Sequence, residues 1–341
     1  MRAASAPRVS PLRRRLLAVD ASGGRFDDTS TADLVERFEP GDLLVLNDSA
    51  TLPASFSATT ARGGRLEVRL AEAPRDGEAA AVLFGEGGWR QATERRPPPP
   101  ILPAGTPLRL GGGLDAEIAS ISPLSPRLVR MRFAPRGSAL VSALYRLGKP
   151  IQYSYLSREL ALADVQTPYA GRPWSVEPPS AGFPLTPDVL RSLRRRGVAL
   201  AWLTHGAGLS STGDAALDAA LPLPERFDLP AGTVEAIGDA RSRGARVVAA
   251  GTTVVRALEG AFALRGRLEP GEGTTSLVIG PGFVRRVVDG ILTGVHEPRT
   301  SHHALLQAFA SEPLLSRALA HAEEKGYLLH EFGDSCLVLA A

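Results

Sequence analysis

Apolar and polar positions recur with different periods along this 341-residue chain, and the changes of period divide it. Residues 33–48, DLVERFEPGDLLVLND, predict a short helix, a Pro-Gly turn and a strand whose unbroken apolar run LLVLN fits burial on both faces. From about residue 55 to 132 the pattern shortens to alternating pieces, RLEVRLAE, DAEIASI and RLVRMRF, separated by Gly, Pro and Asp-Gly turns. That texture predicts a small antiparallel β-barrel. Prolines at 97–100 cannot pair as a central strand and predict a surface loop.

After Pro150 the pattern lengthens into helices alternating with apolar strands, as in an α/β layer covered on both faces. TPDVLRSLRRRGV carries a full set of helix signals: Thr186 as cap, Pro187 in the first turn, Gly197 past the end. VALAWLTHGAG reads as a buried strand entering a glycine loop, and TVEAIGDARSRGARVVAAGTTVVRALEG as helix, strand, tight turn and second helix. Further strands are predicted at TSLVIG, RRVVDGIL and CLVLA. The expected fold class is therefore α/β with an inserted small antiparallel β-barrel domain. Residues 1–55 form the N-terminal part of the α/β domain, 56–148 the barrel, and 149–341 the main α/β domain with the ligand site.

Composition narrows the function without naming it. With 44% apolar and 22% charged residues the chain can bury a sizeable core. No window approaches the roughly 18 apolar residues of a membrane span, and no signal-peptide apolar stretch follows the N-terminal arginines. The expectation is a cytoplasmic protein without membrane contact, a monomer or weak oligomer. The one cysteine, Cys336, excludes an internal disulfide and any multi-cysteine metal site, and its setting predicts a buried strand. Net charge is only +3, but the basic residues are arginine except for Lys149 and Lys325. Guanidinium groups suit phosphate contacts and base stacking, so a nucleic-acid partner is admitted; a GC-rich coding sequence would give the same composition. No GxSxG or P-loop motif is present, which argues against serine hydrolases and P-loop NTPases.

Ligands of open α/β sheets gather at the carboxyl ends of strands, where loops meet the positive ends of helices. Two segments fit. In GTTVVR, Gly251, Thr252, Thr253 and Arg256 form a cradle for a carboxylate or phosphate, or simply a capped helix with a surface arginine. In THGAG, Gly206 and Gly208 permit close approach of a flat ligand beside His205, which is otherwise a hydrogen-bonded structural histidine. A third segment, DGILTGVHEPRTSHH, concentrates Asp289, His296, Glu297, Arg299, His302 and His303. Pro298 prevents a helical HExxH arrangement, and a cap at Thr300 or Ser301 puts His302 and His303 in an exposed first turn, so no metal is expected. Asp289 and Asp334 read as turn or cap residues. Tyr169 and Trp174 suit purine stacking or packing, and Gln166 and Thr167 lie in a loop where backbone bonding is an equal reading.

Taken together, PGDLLVLND (40–48), RGGRLEV (62–68), VQTPYAGRPWSVEPPSAG (165–182), RVVAAGTTVVRALE (246–259), PGFVRRVVDGILTGVHEP (281–298) and FGDSCLVL (332–339) resemble, in order, the S-adenosylmethionine:tRNA ribosyltransferase-isomerase family of queuosine synthesis. The resemblance implies an α/β domain with an inserted barrel. It also implies S-adenosylmethionine as cosubstrate, no metal, and tRNA carrying a wobble 7-aminomethyl-7-deazaguanine as partner, with epoxyqueuosine, adenine and methionine as products. Carried onto this chain, it points to His296, Glu225 and His205 for catalysis, and to Gly251, Thr252, Thr253, Arg256, Gly206, Gly208, Gln166 and Tyr169 around the cosubstrate. The chain also departs from the pattern. Pro184 stands where the family has a histidine, His205 sits one position further along its strand, residues 223–225 keep only the acid Glu225, and the opening survives as RRRLL from Arg13. Three readings follow: action on tRNA with His205 compensating, a paralogue using a small non-tRNA acceptor, or a non-catalytic binder of nucleotide or RNA.

Overall fold

The computed structural model describes residues 1–340 apart from 9, 11–13 and 299. Arg13 of the opening pattern and Arg299 of the histidine-rich segment therefore lie outside the described residues. The apolar run LLVLN forms the strand Leu43–Asn47, buried at every position. It is the axis of a mixed sheet of nine described strands. Ala199–His205 and Val247–Ala250 flank it in parallel, and Gly290–Gly294 continues the parallel set beyond Val247–Ala250. Strict alternation explains how one strand serves two layers. Leu43 and Val45 face the cluster built with the helices Ala231–Ser242 and Thr252–Arg265, while Leu44 and Leu46 face Leu34, Val189 and Leu193 on the other side.

Antiparallel strands finish both edges. Glu225–Leu229 and Gly271–Thr275 extend the sheet beyond Ala199–His205. Ser335–Leu339, Arg15–Asp20 and Arg25–Ser30 extend it beyond Gly290–Gly294. Cys336 is buried in the first of these, and burial raises its thiol to about 12. Among the described residues no helix is long and apolar enough to cross a membrane.

Between the neighbouring strands Leu43–Asn47 and Ala199–His205 the chain detours into a closed barrel of six strands, Ser55–Thr60, Arg65–Leu70, Glu78–Phe84, Pro107–Arg109, Asp115–Ile121 and Leu128–Phe133. The barrel has its own core of Phe56, Val68, Val82, Ile118 and Met131, sealed by Leu140 and Leu144 of the following helix Gly137–Leu147. Because it departs after Asn47 and the returning chain pairs there again, Lys149 with Ser55 and Ser175 with Thr51, the barrel hangs at the end of the sheet where Leu43–Asn47 delivers its carboxyl terminus.

Local signals hold where chemistry is local. Thr186 accepts from Val189 N at 3.3 Å to cap Pro187–Arg195, and Gly197 has φ +87°. Two strand predictions shift. TSLVIG is not a strand; the strand ends at Thr275, whose hydroxyl takes Leu277 N at 3.1 Å, and begins earlier in the glycine-rich Gly271–Thr275. Glycine is needed there because a Cβ on Gly273 would stand 2.5 Å from the Phe227 ring opposite. RRVVDGIL yields only Gly290–Gly294, because the buried Glu259 carboxylate gathers the N–H groups of Arg286, Val287 and Val288 at 2.9–3.0 Å and folds that stretch into a turn. The expected exposure of His302 and His303 is also corrected. Thr300 does cap Ser301–Leu306, but His303 is buried and His302 half-buried, because that turn packs against the sheet's end.

Glu259 generates a stability prediction. Replacing it with Ala strands three buried donors and should cost roughly 3 kcal/mol, while Glu259→Gln, which keeps one acceptor oxygen, should cost less than half of that. Denaturant midpoints measure both, and a loss below about 1 kcal/mol for the alanine variant contradicts the account.

Candidate active site

The one polar residue of the central strand, Asn47, organises the carboxyl ends. Its Oδ1 accepts His205 N at 2.9 Å and Ser49 N at 3.0 Å, while Nδ2 donates to His205 O at 2.9 Å and to Thr253 Oγ1 at 3.4 Å. Two parallel strands and the first turn of the helix that follows a third are thus tied at one point. Ser175 adds a second clamp: its hydroxyl bonds Ser49 Oγ at 2.8 Å and His205 O at 3.2 Å and receives Ala207 N at 3.1 Å. A Cβ on Gly206 would approach Trp174 O to 2.8 Å, so the glycine lets the Trp174 loop close over the strand end.

Beneath this loop lies a buried charge pair. Glu225, first residue of Glu225–Leu229, accepts Gly208 N on Oε1 at 2.8 Å and the Arg256 guanidinium on Oε2. His205, fully buried, brings Nε2 to 3.2 Å from the same Oε2. Arg256 lies one turn into the helix that starts after Gly251, whose φ of +104° makes the tight turn from Val247–Ala250. Its Nε donates to Leu277 O at 3.3 Å, and its Nη2 is buried with no partner. Burial raises the Glu225 carboxyl above its usual range and lowers the Arg256 guanidinium below its own. Burial, helped by the Arg256 charge, drops His205 to about 3.

Around this pair the other polar groups form a closed circuit of neighbours. The Arg256 charge reaches His302, which burial has already lowered to about 4, and His302 stacks on His296 with centroids 4.8 Å apart. His296 Nε2 shares a hydrogen bond with Thr293 Oγ1 at 2.7 Å, and burial holds it well below the usual imidazole range, with His302, His303 and His330 pushing the same way. His330, in the left-handed region at φ +68°, lies flat on Tyr155 at 4.3 Å, and Tyr155 stacks on Tyr153 at 6.0 Å. Tyr155 donates to Glu331 at 2.6 Å, and Tyr153 donates to Glu177, whose charge in turn disfavours that of Glu225. His296, His302, Tyr153, Tyr155 and Glu177 all keep partial exposure while burial shifts their titration. That combination is what groups lining a deep crevice experience.

The sequence-predicted residues divide accordingly. Glu225, His205, Gly206, Gly208, Gly251, Thr253 and Arg256 come together at the strand ends, with Thr252 opening the same helix and His296 across the circuit. Gln166 clips the backbone of Thr51, donating to its carbonyl at 2.9 Å and accepting its N–H at 3.0 Å. Tyr169 is half-buried against Gly182, where a Cβ would collide with its hydroxyl. Trp174 lies between Arg226, 3.7 Å from its ring centroid, and Arg172 at 5.5 Å. Asp289 accepts Val247 N at 2.8 Å, and Asp334 accepts Arg15 N and Leu328 N, so both hold backbone. Asn47, Ser175, Glu177, Tyr153, Tyr155 and Glu331 escaped the reading of the sequence. Only Asn47 carried a signal, as a lone amide ending an apolar strand. Among the described residues no three of His, Cys, Asp and Glu converge as a metal-ligand group.

Comparison with known proteins decides the relationship. The family model described as queuosine biosynthesis protein matches residues 1–338. The chain belongs to that family. It is 36% identical, over 98% of this chain and 93% of the relative, to the S-adenosylmethionine:tRNA ribosyltransferase-isomerase of Azoarcus sp. (strain BH72). To the protein of the same name from Thermus thermophilus it is 34% identical over 95% of this chain and 92% of that one. Among solved structures, the crystal structure of S-adenosylmethionine tRNA ribosyltransferase from Thermotoga maritima superposes with a TM-score of 0.54 at 25% identity, covering 99% of this chain and 96% of that one. Pro184 is buried beside Phe183, which stacks on Phe332 at 5.6 Å.

Two neutral histidines, His205 buried and His302 half-buried, predict an acid sensitivity of known sign. His205 and His302 have folded values near 3 and 4, below the ordinary imidazole value of 6.5. The unfolded chain therefore binds more protons across that interval, so their stabilising neutrality is complete above pH 6.5 and is lost as pH falls toward 4. Thermal midpoints should be flat from pH 8 to about 6.5 and decline below it, and His205→Asn should flatten part of the decline. A midpoint independent of pH between 6.5 and 4.5 contradicts these assignments.

Proposed function

We propose that this chain transfers the ribosyl unit of S-adenosylmethionine to 7-aminomethyl-7-deazaguanine at the wobble position of tRNA and rearranges it to the epoxycyclopentane of epoxyqueuosine, releasing adenine and methionine. The observation that carries the reading is Arg256. Its guanidinium is fixed by Glu225 and Leu277 O, and one buried edge, Nη2, has no partner at the start of a helix on the parallel strands' carboxyl side. A carboxylate is the natural complement of a buried guanidinium edge next to helix-start N–H groups, and the methionyl portion of the cosubstrate supplies one. Near full-length similarity to ribosyltransferase-isomerases supports the tRNA reading over a small-acceptor paralogue or a non-catalytic binder. Action on tRNA fits a cytoplasmic protein, working as a monomer or weak oligomer.

The reaction needs a proton taken from the ribose carbon beside the sulfonium, opening of the sugar with departure of adenine, and bonding of the acceptor amine with loss of its proton. Carbon–carbon closure of the ring follows, with epoxide formation as an oxygen displaces methionine from the sulfonium-bearing carbon. His296 is assigned to the proton transfer: it is neutral at pH 7, partly exposed, and oriented by Thr293. Glu225 and His205 are positioning residues. Both Glu225 oxygens are occupied, so Glu225 acts by holding Arg256 and Gly208 N, while His205 is sealed from solvent and tied to Asn47 through its backbone. Thr252 and Thr253 present the first N–H groups of the helix beside Arg256. Gly206 and Gly208 let the cosubstrate lie against backbone, and Gln166 and Tyr169 shape the loop wall opposite.

The test is incubation with S-adenosylmethionine and tRNA bearing the aminomethyl base. Expected are a mass-shifted wobble nucleoside and equimolar adenine and methionine; no adenine with any tRNA overturns the reading. His296→Ala should lower turnover on the order of 100-fold with cosubstrate affinity and thermal midpoint unchanged, and normal turnover removes it from the chemistry. Arg256→Lys should weaken S-adenosylmethionine binding about tenfold by calorimetry, because a point charge cannot reproduce the two-sided guanidinium contact.

A further inference from the structure

The barrel contributes a buried charged side chain beside Tyr153 that the proposed reaction does not use. Arg69, on Arg65–Leu70, is 1% exposed and the largest fully buried side chain among the described residues. Its Nε donates to Glu67 Oε1 at 2.6 Å and its Nη2 to Gln152 O at 3.3 Å, while Nη1 is buried with no partner. The guanidinium lies over Phe84 at 4.6 Å and over Tyr153 at 5.5 Å from the ring centroids. Glu177 accepts the Tyr153 hydroxyl and, at 3.1 Å, Ser210 N. Burial disfavours the Glu177 charge and Arg69 favours it, which places the two groups in one electrostatic neighbourhood.

A buried donor with nothing to donate to, beside an oriented carboxylate and along a stacked Tyr153–Tyr155 wall, has a specific complement. A guanine-type edge presents a carbonyl oxygen followed by two N–H donors. An adenine edge presents an exocyclic donor beside a ring acceptor, and leaves the arginine N–H facing a donor. We propose that Arg69 and Glu177 read the Watson–Crick edge of the acceptor base, Arg69 Nη1 donating to its 6-oxo oxygen and Glu177 accepting from its N1–H and 2-amino group. Naming the acceptor a deazaguanine rests on the function proposed above; the edge chemistry rests on these residues. It also gives the inserted barrel a role: Arg69 stands on a barrel strand and Arg256 on the helix that follows a sheet strand, so acceptor and cosubstrate are held by different parts of the fold. A base offered to this edge must be out of any stack, as an anticodon-loop nucleotide is.

The probe is a pair of tRNAs carrying 7-aminomethyl-7-deazaguanine or its counterpart without the 2-amino group. Wild-type protein should use the second with kcat/KM lower by roughly 100-fold, because the Glu177 carboxylate loses a buried donor. Glu177→Gln should lower kcat/KM for the first tRNA at least tenfold, leave the KM for S-adenosylmethionine unchanged, and reduce the discrimination between the two tRNAs to a few-fold. Tyr153→Phe, which frees Glu177 without removing it, should move the same ratio part of the way, and it carries the test if Glu177→Gln fails to fold by circular dichroism. A wild type indifferent to the 2-amino group, or a Glu177→Gln variant that discriminates as the wild type does, overturns the inference while leaving the proposed reaction standing. If no tRNA is modified at all, that reaction fails, and calorimetry with the two free bases decides the inference by the same preference and its loss in the variant.

Discussion

Taking a carboxylate and a guanidinium out of water costs several kcal/mol for each, and only a close, well hydrogen-bonded pair returns it. Glu225 and Arg256 are such a pair, and the sheet's active end is arranged around making it possible. Glu225 reaches the site because its strand runs antiparallel to Ala199–His205, in register Thr204 with Asp228 and His205 with Phe227. Arg256 reaches it because the left-handed turn at Gly251 starts the helix immediately after Val247–Ala250. Gly208 offers its N–H to Glu225 with no side chain between them; an added Cβ would stand 3.2 Å from Oε1. Loss of either charge would leave the other buried alone, so the loops that converge here are held by electrostatics as much as by packing.

The same constraint accounts for the neutral histidines. Burial first, and then repulsion by the Arg256 guanidinium, makes His205 and His302 give up their protons far below the ordinary range. A crevice so arranged keeps one fixed cation for an anionic group and leaves imidazoles able to accept a proton. Glu177, Tyr153, Tyr155 and Glu331 form an acidic and aromatic cluster, with the Arg69 guanidinium of the barrel over the Tyr153 ring. The barrel insertion after Asn47 thus adds one cation, Arg69, to a cluster built by segments that follow it in the chain.

How much of this was legible follows from the range of each interaction. Helix Pro187–Arg195, with its Thr186 cap and Gly197 stop, depends on contacts within four residues and was readable outright. LLVLN was readable as a two-sided strand because alternation is also local. Gly271–Thr275 was missed because Gly273 is selected by the Phe227 ring on a strand over forty positions earlier, and RRVVDGIL was overread because Glu259 binds its amides from a helix. In the site, GTTVVR and THGAG announced themselves through glycine geometry. Glu177 and Tyr153 did not, because a carboxylate and a tyrosine in loops acquire meaning only when Arg69 and Ser210 are brought to them through the fold.

The central claim is that the free edge of Arg256 receives the carboxylate of a sulfonium cosubstrate. Removing the carboxylate from the ligand tests it without disturbing the protein: S-adenosylmethionine and its decarboxylated counterpart are titrated into the same preparation by calorimetry. The account predicts that the decarboxylated compound binds at least tenfold more weakly, the worth of one charge-assisted pair in a desolvated setting. Equal affinity for the two would show that the arginine edge faces something else.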